Sequence, residues 1–212
     1  MISPSFAAVI LAAGESSRMG TEKALLPWEG STFLTATIER LMPLVEVVII
    51  VAGNNVESLK QTVYAKGGYL AVNPDPSRGQ FSSLQVGLHE VLNRGRDAAL
   101  VTHVDRPPAK AETIKLLKQT FITQAARGQW AVVPECADPA SGEMKHGHPI
   151  VVGRELIEQF LRAPATSIAR DIEHAHQSRI TYLPVTDTAV ITNVNTPEEY
   201  ERLVQQQGAA AK

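Results

Sequence analysis

An α/β domain built on a mostly parallel sheet is predicted by three features of the sequence. Short apolar runs alternate with segments of helical period along almost the whole chain. The runs are continuous rather than alternating with polar residues, the pattern of strands covered on both faces. Strand–helix–strand repetition implies right-handed crossovers and a parallel sheet.

Phe6–Ala12 is the first run and is closed by Gly14. Thr32–Leu41 sets Phe33, Ile38 and Leu41 on one side of a helix. Glu46–Ala52 is a strand rich in β-branched residues, ended by Gly53, and Tyr69–Val72 is a short one ended at Asn73-Pro74. Ser82–Leu92 carries Leu84, Leu88 and Leu92 at i, i+4 and i+8. Ala98–Val104 is a fourth strand. Ala111–Ala126 keeps Ile114, Leu117, Phe121 and Ile122 in helical phase. Trp130–Pro134 and Pro149–Val152 are the fifth and sixth strands. The last helix has a plain start: Thr196 as N-cap, Pro197 at the first helical position, and Glu198 and Glu199 beside the positive helix end. Neither repeats nor a low-complexity linker interrupt the pattern. One domain over residues 1–207 with a flexible tail at 208–212 is expected.

Composition narrows the function. The chain has 212 residues, 44% of them hydrophobic and 20% charged, enough to bury a core. A net charge of -2 argues against nucleic-acid binding through a strongly basic face. It leaves room for a small anion held by backbone amides and one or two cations. The single cysteine, Cys136, excludes an intrachain disulfide and a four-cysteine zinc site, and reads as a buried small side chain. No stretch approaches the roughly 20 apolar residues that span a bilayer. The run from Phe6 to Ala13 has no basic residue before it and enters a Gly/Ser turn, unlike a signal peptide. No membrane association and a cytoplasmic location are expected.

In an open parallel sheet, ligands bind beyond the carboxyl ends of the strands. After the first strand comes LAAGESSRMGTEK. Ala12, Ala13 and Gly14 let a ligand approach the backbone, and Ser16 and Ser17 add hydroxyls. Arg18 and Lys23 are two cations able to neutralise a polyphosphate. The glycine spacing is neither the dinucleotide fingerprint nor the P-loop. The same segment also reads as a plain strand–helix turn with solvated charges.

Asp105, in VDRPP, follows the fourth strand, where a carboxylate can hold a divalent metal or cap a turn. Arg106 is expected to face solvent or pair with Asp105. Asn193 and Asn195 share a side if their segment stays extended, and could add metal ligands or serve as turn residues. Ser82 and Ser83 sit near a helix start, where hydroxyls and amides can read a base or a phosphate. His146 and His148 are spaced for zinc, but no third ligand is evident. Contact with substrate through His148 is the stronger reading. His174 and His176 share a helical stretch with Arg170 and read as a solvated face.

Together these loops resemble one family. LAAGESSRMGTEK resembles the signature LAAGxSxRMGxxK of the nucleotidyltransferases of molybdenum cofactor biosynthesis, in particular the molybdenum cofactor cytidylyltransferases. NPDPSRGQFSSLQVGL, VDRPP, GHPIVV and NVNTPEEY resemble the family's further motifs, so that the likeness runs from about Val9 to Leu203. The resemblance implies a Rossmann-like three-layer α/β domain, Mg²⁺ dependence, and transfer of a nucleoside monophosphate onto a phosphate monoester with release of pyrophosphate. It implies that Leu11, Ala12, Ala13 and Gly14 meet the base and ribose, that Arg18 and Lys23 meet the triphosphate, and that Ser82 and Ser83 meet the nucleotide. Asp105, Asn193 and Asn195 would stand at the metal, His148 and Arg170 at the acceptor, and Arg18, Lys23 and Asp105 would carry catalysis. Related guanylyltransferases usually have LAGG where this chain has Leu11-Ala12-Ala13-Gly14, which points to CTP over GTP. A phosphorylated small molecule of pterin type is the implied acceptor, and a molybdoenzyme or chaperone an implied partner.

The sequence departs from the pattern in three places. Asn193 and Asn195 stand where cytidylyltransferases usually carry aspartates, as is common in the guanylyltransferase branch. ATSIAR stands where Gly-Asp-x-Gly-Ala-Arg is expected, and Arg106 where Gln or Met is usual. The competing readings are a sugar-phosphate or polyol-phosphate acceptor, and a nucleotide-binding regulator without turnover.

Overall fold

The computed structural model describes residues 4–14 and 19–210, with side chains described through residue 206. A sheet crosses the molecule in the order β5-β4-β1-β6-β9-β7-β10, with β8 pairing onto β7. The strands are β1 (Phe6–Leu11), β4 (Val47–Ala52), β5 (Tyr69–Val72), β6 (Ala98–His103), β7 (Ala131–Ala137), β8 (Met144–His146), β9 (Ile150–Gly153) and β10 (Ile180–Pro184). A separate two-stranded ribbon joins β2 (Pro27–Trp28) to β3 (Ser31–Thr32).

β5, β4, β1 and β6 pair in parallel, and so do β7 and β10. β9 runs antiparallel to β6 and β7. The predicted three-layer, mostly parallel α/β domain is therefore correct, with one reversed strand inside it. Parallel neighbours need a long crossover. Only β8 and loops separate β7 from β9, so the chain turns back on itself.

Alternation along β1 builds two cores. Phe6, Ala8 and Ile10 face α1 (Phe33–Leu41), α2 (Val56–Ala65) and α4 (Ala111–Ala125), through Leu34, Leu59 and Leu117 among others. Ala7, Val9 and Leu11 face α3 (Gln80–Asn93) and α5 (Arg154–Arg162), through Leu88 and Phe160. All of β1 is buried, which is why its sequence reads as one apolar block. Gly87 lets α3 lie close on the sheet: a Cβ there would stand 2.5 Å from Val9 Cγ1.

Some elements are additional to the predicted ones. α2 shows only Leu59 and Val63 as buried apolar residues. α5 and α6 (Ala169–Ala175) extend the layer over α3. The apolar stretch Ala189–Ile191 is not a strand. Thr188–Val190 forms one 3-10 turn. α7 (Pro197–Ala210) begins as predicted, with Glu199 N–H donating to Thr196 Oγ1 at 3.3 Å and the Glu199 carboxylate accepting from Asn195 N–H at 2.7 Å. No helix among the described residues is long and apolar enough to cross a membrane.

Candidate active site

β1 lies between β4 and β6, so the chain leaves β1 on one side and returns on the other. The crevice beyond the carboxyl ends of such strands is the expected ligand site. Two adjoining clefts open there. One, of about 170 Å³, is lined by Ala13, Gly14, Lys23, Ser83 and Asp105 among others. The other, of about 980 Å³, is lined by Arg78, Arg106, Lys145, His148, Arg170 and Glu173 among others. Leu11, Gly79, Gln80 and His103 line both.

The turn after β1 is held from below by Asn55. Its amide donates to Ala12 O at 2.8 Å and to the Glu22 carboxylate at 2.9 Å, while its oxygen accepts from Gly53 N–H at 3.0 Å. Leu11, Ala13 and Gly14 are thereby presented to the clefts. Ala12 is turned away: its side chain is buried in the core against α1 and α2, and its N–H donates to Val51 O. Its side chain therefore faces the core rather than the clefts. Ser16, Ser17 and Arg18 lie outside the described residues.

Lys23 opens a short 3-10 turn, and its side chain is 12% exposed. Its Nζ donates to Asn195 Oδ1 at 2.9 Å and stands 3.8 Å from the Asp105 carboxylate. The segment that brings Asn195 here is anchored by Val194, whose N–H donates to Asp105 O at 2.8 Å and whose side chain is buried beside Met19, Trp28 and Phe33. The two asparagines are parted. Asn193 faces the larger cleft and Asn195 faces Lys23. Their expected common side fails because this segment is coil, not strand.

Ser82 and Ser83 do lie in the first turn of α3, and both hydroxyls accept from Asn73 Nδ2 at 2.9 Å. Ser82 also donates to Gly79 O at 2.7 Å, so its hydroxyl is spent on the loop and faces neither cleft. Ser83 remains at the smaller cleft. Of the pair, only Ser83 lines either cleft.

His103 and His148 stack edge to face with ring centroids 4.4 Å apart. Burial pushes both below the usual histidine range, and the neighbouring Arg106 charge acts in the same direction. His148 reaches Val101 O at 3.3 Å and is joined to Pro149 by a cis peptide bond. Arg106 neither faces solvent nor pairs with Asp105. It is half-buried and donates to Val190 O at 2.9 Å. Among the described residues no group of three His, Cys, Asp or Glu side chains could hold a metal. His146 instead stacks on Tyr182. Cys136 is buried, and burial raises its thiol, as an inert small side chain requires.

Asn55, Asn73, His103, Arg106 and Glu173 were not singled out as site residues from the sequence. Asn55, Asn73 and His103 stand at or shortly after the end of a strand and Arg106 lies inside a resembling motif, whereas Glu173, inside α6, carries no such signal.

A cleft at the strand reversal, small-residue backbone on one wall and a lysine facing a carboxylate, is the layout of a nucleotidyltransferase. The chain belongs to the MobA-like NTP transferase domain family, whose pattern matches residues 8–180. It is 30% identical over 203 residues to a molybdenum cofactor guanylyltransferase of Shewanella sp. (strain ANA-3), covering 92% of this chain and 93% of that one. It is 26% identical over 197 residues to the molybdenum cofactor cytidylyltransferase of Escherichia coli (strain K12), covering 91% and 92%. Its fold is similar to that of Rv0371c from Mycobacterium tuberculosis H37Rv, with a TM-score of 0.77 at 23% identity over 95% of this chain and 98% of that one. A manganese complex of Rv0371c gives a TM-score of 0.70 at 22% identity over the same shares.

Proposed function

We propose that the chain transfers CMP from CTP to the phosphate of a molybdopterin-type monoester, with Mg²⁺, releasing pyrophosphate. The observation that carries this reading is the Lys23–Asp105 pair at the smaller cleft, next to a larger cleft rich in cations.

In this reading the triphosphate lies along the turn after β1, where small side chains permit close approach. Lys23 and Arg18 stabilise the charge that moves to pyrophosphate as the α-phosphorus bond to it breaks. The acceptor's phosphate oxygen attacks that phosphorus and is already anionic, so no general base is required. Arg78, Lys145 and Arg170 attract and orient the acceptor from the larger cleft.

The residues suit Mg²⁺ better than a metal caged by protein alone. Asp105 offers one carboxylate, with its side chain 31% exposed, and Mg²⁺ is commonly held by one or two carboxylates plus substrate phosphates. Asp105 would hold it, while Asn193 lines the adjoining cleft. Asn195 is a weaker candidate while its oxygen accepts from Lys23. Bound there, the cation would neutralise phosphate charge and favour attack at phosphorus.

CTP is favoured by Ala13, which lines the cleft at the position where guanylyltransferases usually carry glycine. GTP is the second reading, favoured by the asparagines at 193 and 195 and by the guanylyltransferase relative. Thermal shift with each nucleotide, with and without Mg²⁺, separates them, because a bound ligand stabilises the native state. A larger shift with GTP overturns the CTP assignment. Pyrophosphate release is then measured with a pterin phosphate and a sugar phosphate as acceptors. Lys23→Ala and Asp105→Ala are each expected to lose at least about a hundredfold in rate with an unchanged fold. Near-normal turnover in either removes the site assignment.

A further inference from the structure

Among the residues lining the larger cleft, Glu173 is the one carboxylate, in a lining that also carries Arg78, Lys145 and Arg170. It lies one turn along α6 from Arg170 and is half-buried. Among the described residues, neither a hydrogen bond nor an ion pair occupies its carboxyl. A carboxylate placed to repel an anionic acceptor is a liability unless the acceptor presents hydrogen-bond donors to it.

The walls of the cleft describe the rest of that acceptor. Phe81 and Leu84 form an apolar floor, while Met144 and Ile168 stand at 52% and 61% exposure. Exposed large apolar side chains at a cleft mark a ligand surface. A sugar phosphate has no flat apolar body to cover them. A planar heteroaromatic ring does, and an amino-substituted ring carries adjacent N–H donors on its edge.

We propose that Glu173 reads the N–H edge of a planar heterocycle on the acceptor, whose faces lie against the apolar walls and whose phosphate points to the cations. This rests on the proposed transfer to a phosphate monoester, and assigns the specificity for the acceptor's ring to one residue. Paired N–H donors hydrogen-bond best to the ionised carboxylate. Burial raises the Glu173 carboxyl to about 7, with the Arg170 charge acting the other way. Tyr182 on β10 feels the charge of Glu173 and of Glu135 on β7, and His146 stacks on Tyr182. Binding the ring should therefore release a proton near neutral pH and strengthen as pH rises from 6 to 8.

The test uses the fluorescence of 6-hydroxymethylpterin phosphate, titrated into the full chain at pH 6 and pH 8 without nucleotide. Binding by the wild-type chain, about tenfold weaker in Glu173→Gln, is expected. The ligand's own phosphate ionises at about 6, so a slope with pH remains in the variant. The part due to Glu173 is the difference, and it should vanish. Ile168→Ser, at an exposed site, should weaken binding several-fold. A retained nucleotide-induced thermal shift verifies that each variant is folded. The proposal is overturned if the wild-type chain does not bind the pterin phosphate, if either variant binds it as well as the wild type, or if glucose 1-phosphate displaces it at equal concentration. Pyrophosphate release decides the transfer reading separately: a chain that binds the pterin through Glu173 but transfers nothing keeps this inference and loses that one.

Discussion

Asn73 carries no reactive group, yet its side chain organises one wall of the site. Asn73 is 4% exposed; its amide reaches both Ser82 and Ser83, and its oxygen accepts from Asp75 N–H at 3.0 Å. Removing a buried partner leaves groups unsatisfied, at about 1–3 kcal/mol each. Asn73→Ala is expected to lose about 2–3 kcal/mol in denaturant unfolding and to weaken nucleotide binding, while leaving affinity for a pterin phosphate nearly intact. The serines were visible in the sequence as a hydroxyl pair at a helix start. That one of them is spent on Gly79 O was not, because the competing acceptor comes from the turn that precedes the helix. Lys23 shows the same limit. The sequence presents it with Arg18 as a cation pair, and only the fold shows its ammonium bonded to Asn195.

The His146-to-Pro149 segment and the 3-10 turn at Thr188–Val190 act as one unit. Val190 O accepts from both His148 N–H and Arg106 Nη1, each at 2.9 Å. Asp187 anchors the turn, accepting from Lys110 N–H at 2.7 Å and from Thr113 Oγ1 at 2.9 Å. Gly147 is the contact point: a Cβ there would stand 2.3 Å from Val190 O, closer than any side chain can approach backbone. Gly147→Ala must push the two apart, moving His148 and Arg106 together. We expect a higher KM for acceptor with a nearly unchanged KM for nucleotide, read by steady-state kinetics against each substrate. The histidines of this segment attract attention in the sequence, whereas the glycine between them has the stricter requirement. Its reason is a backbone oxygen far along the chain, which no local pattern contains.

The molecule rests on two cores, one on each face of the sheet, and a smaller one under the ribbon and α7. The crevice between them buries ionisable groups, and this sets its response to pH. The folded-state values of His103 and His148 lie below the ordinary 6.5. As pH falls through 6.5 the unfolded chain binds more protons than the folded one, so stability present above 6.5 is lost on acidification. Glu173 works in the opposite sense. Its raised value means that its contribution is full below 4.5 and is lost as pH rises through about 7. With two histidines against one carboxyl, the melting temperature should fall between pH 6.5 and 4. A His103→Gln, His148→Gln double variant should flatten that fall, and Glu173→Gln should steepen it. A wild-type profile level across this interval would contradict the assignment of neutral buried histidines.

Period and composition settled the α/β class, the central parallel strands and the cap at Thr196. These depend on local rules: which faces of a strand are covered and which residue can start a helix. Tertiary structure alone decided the reversal of β9, the parting of Asn193 from Asn195, the burial of Ala12 and Ser82, and the place of Glu173 in a cleft lined with cations. Each depends on which distant segment supplies a hydrogen-bond partner or a wall, and that partner is separated in sequence by whole elements.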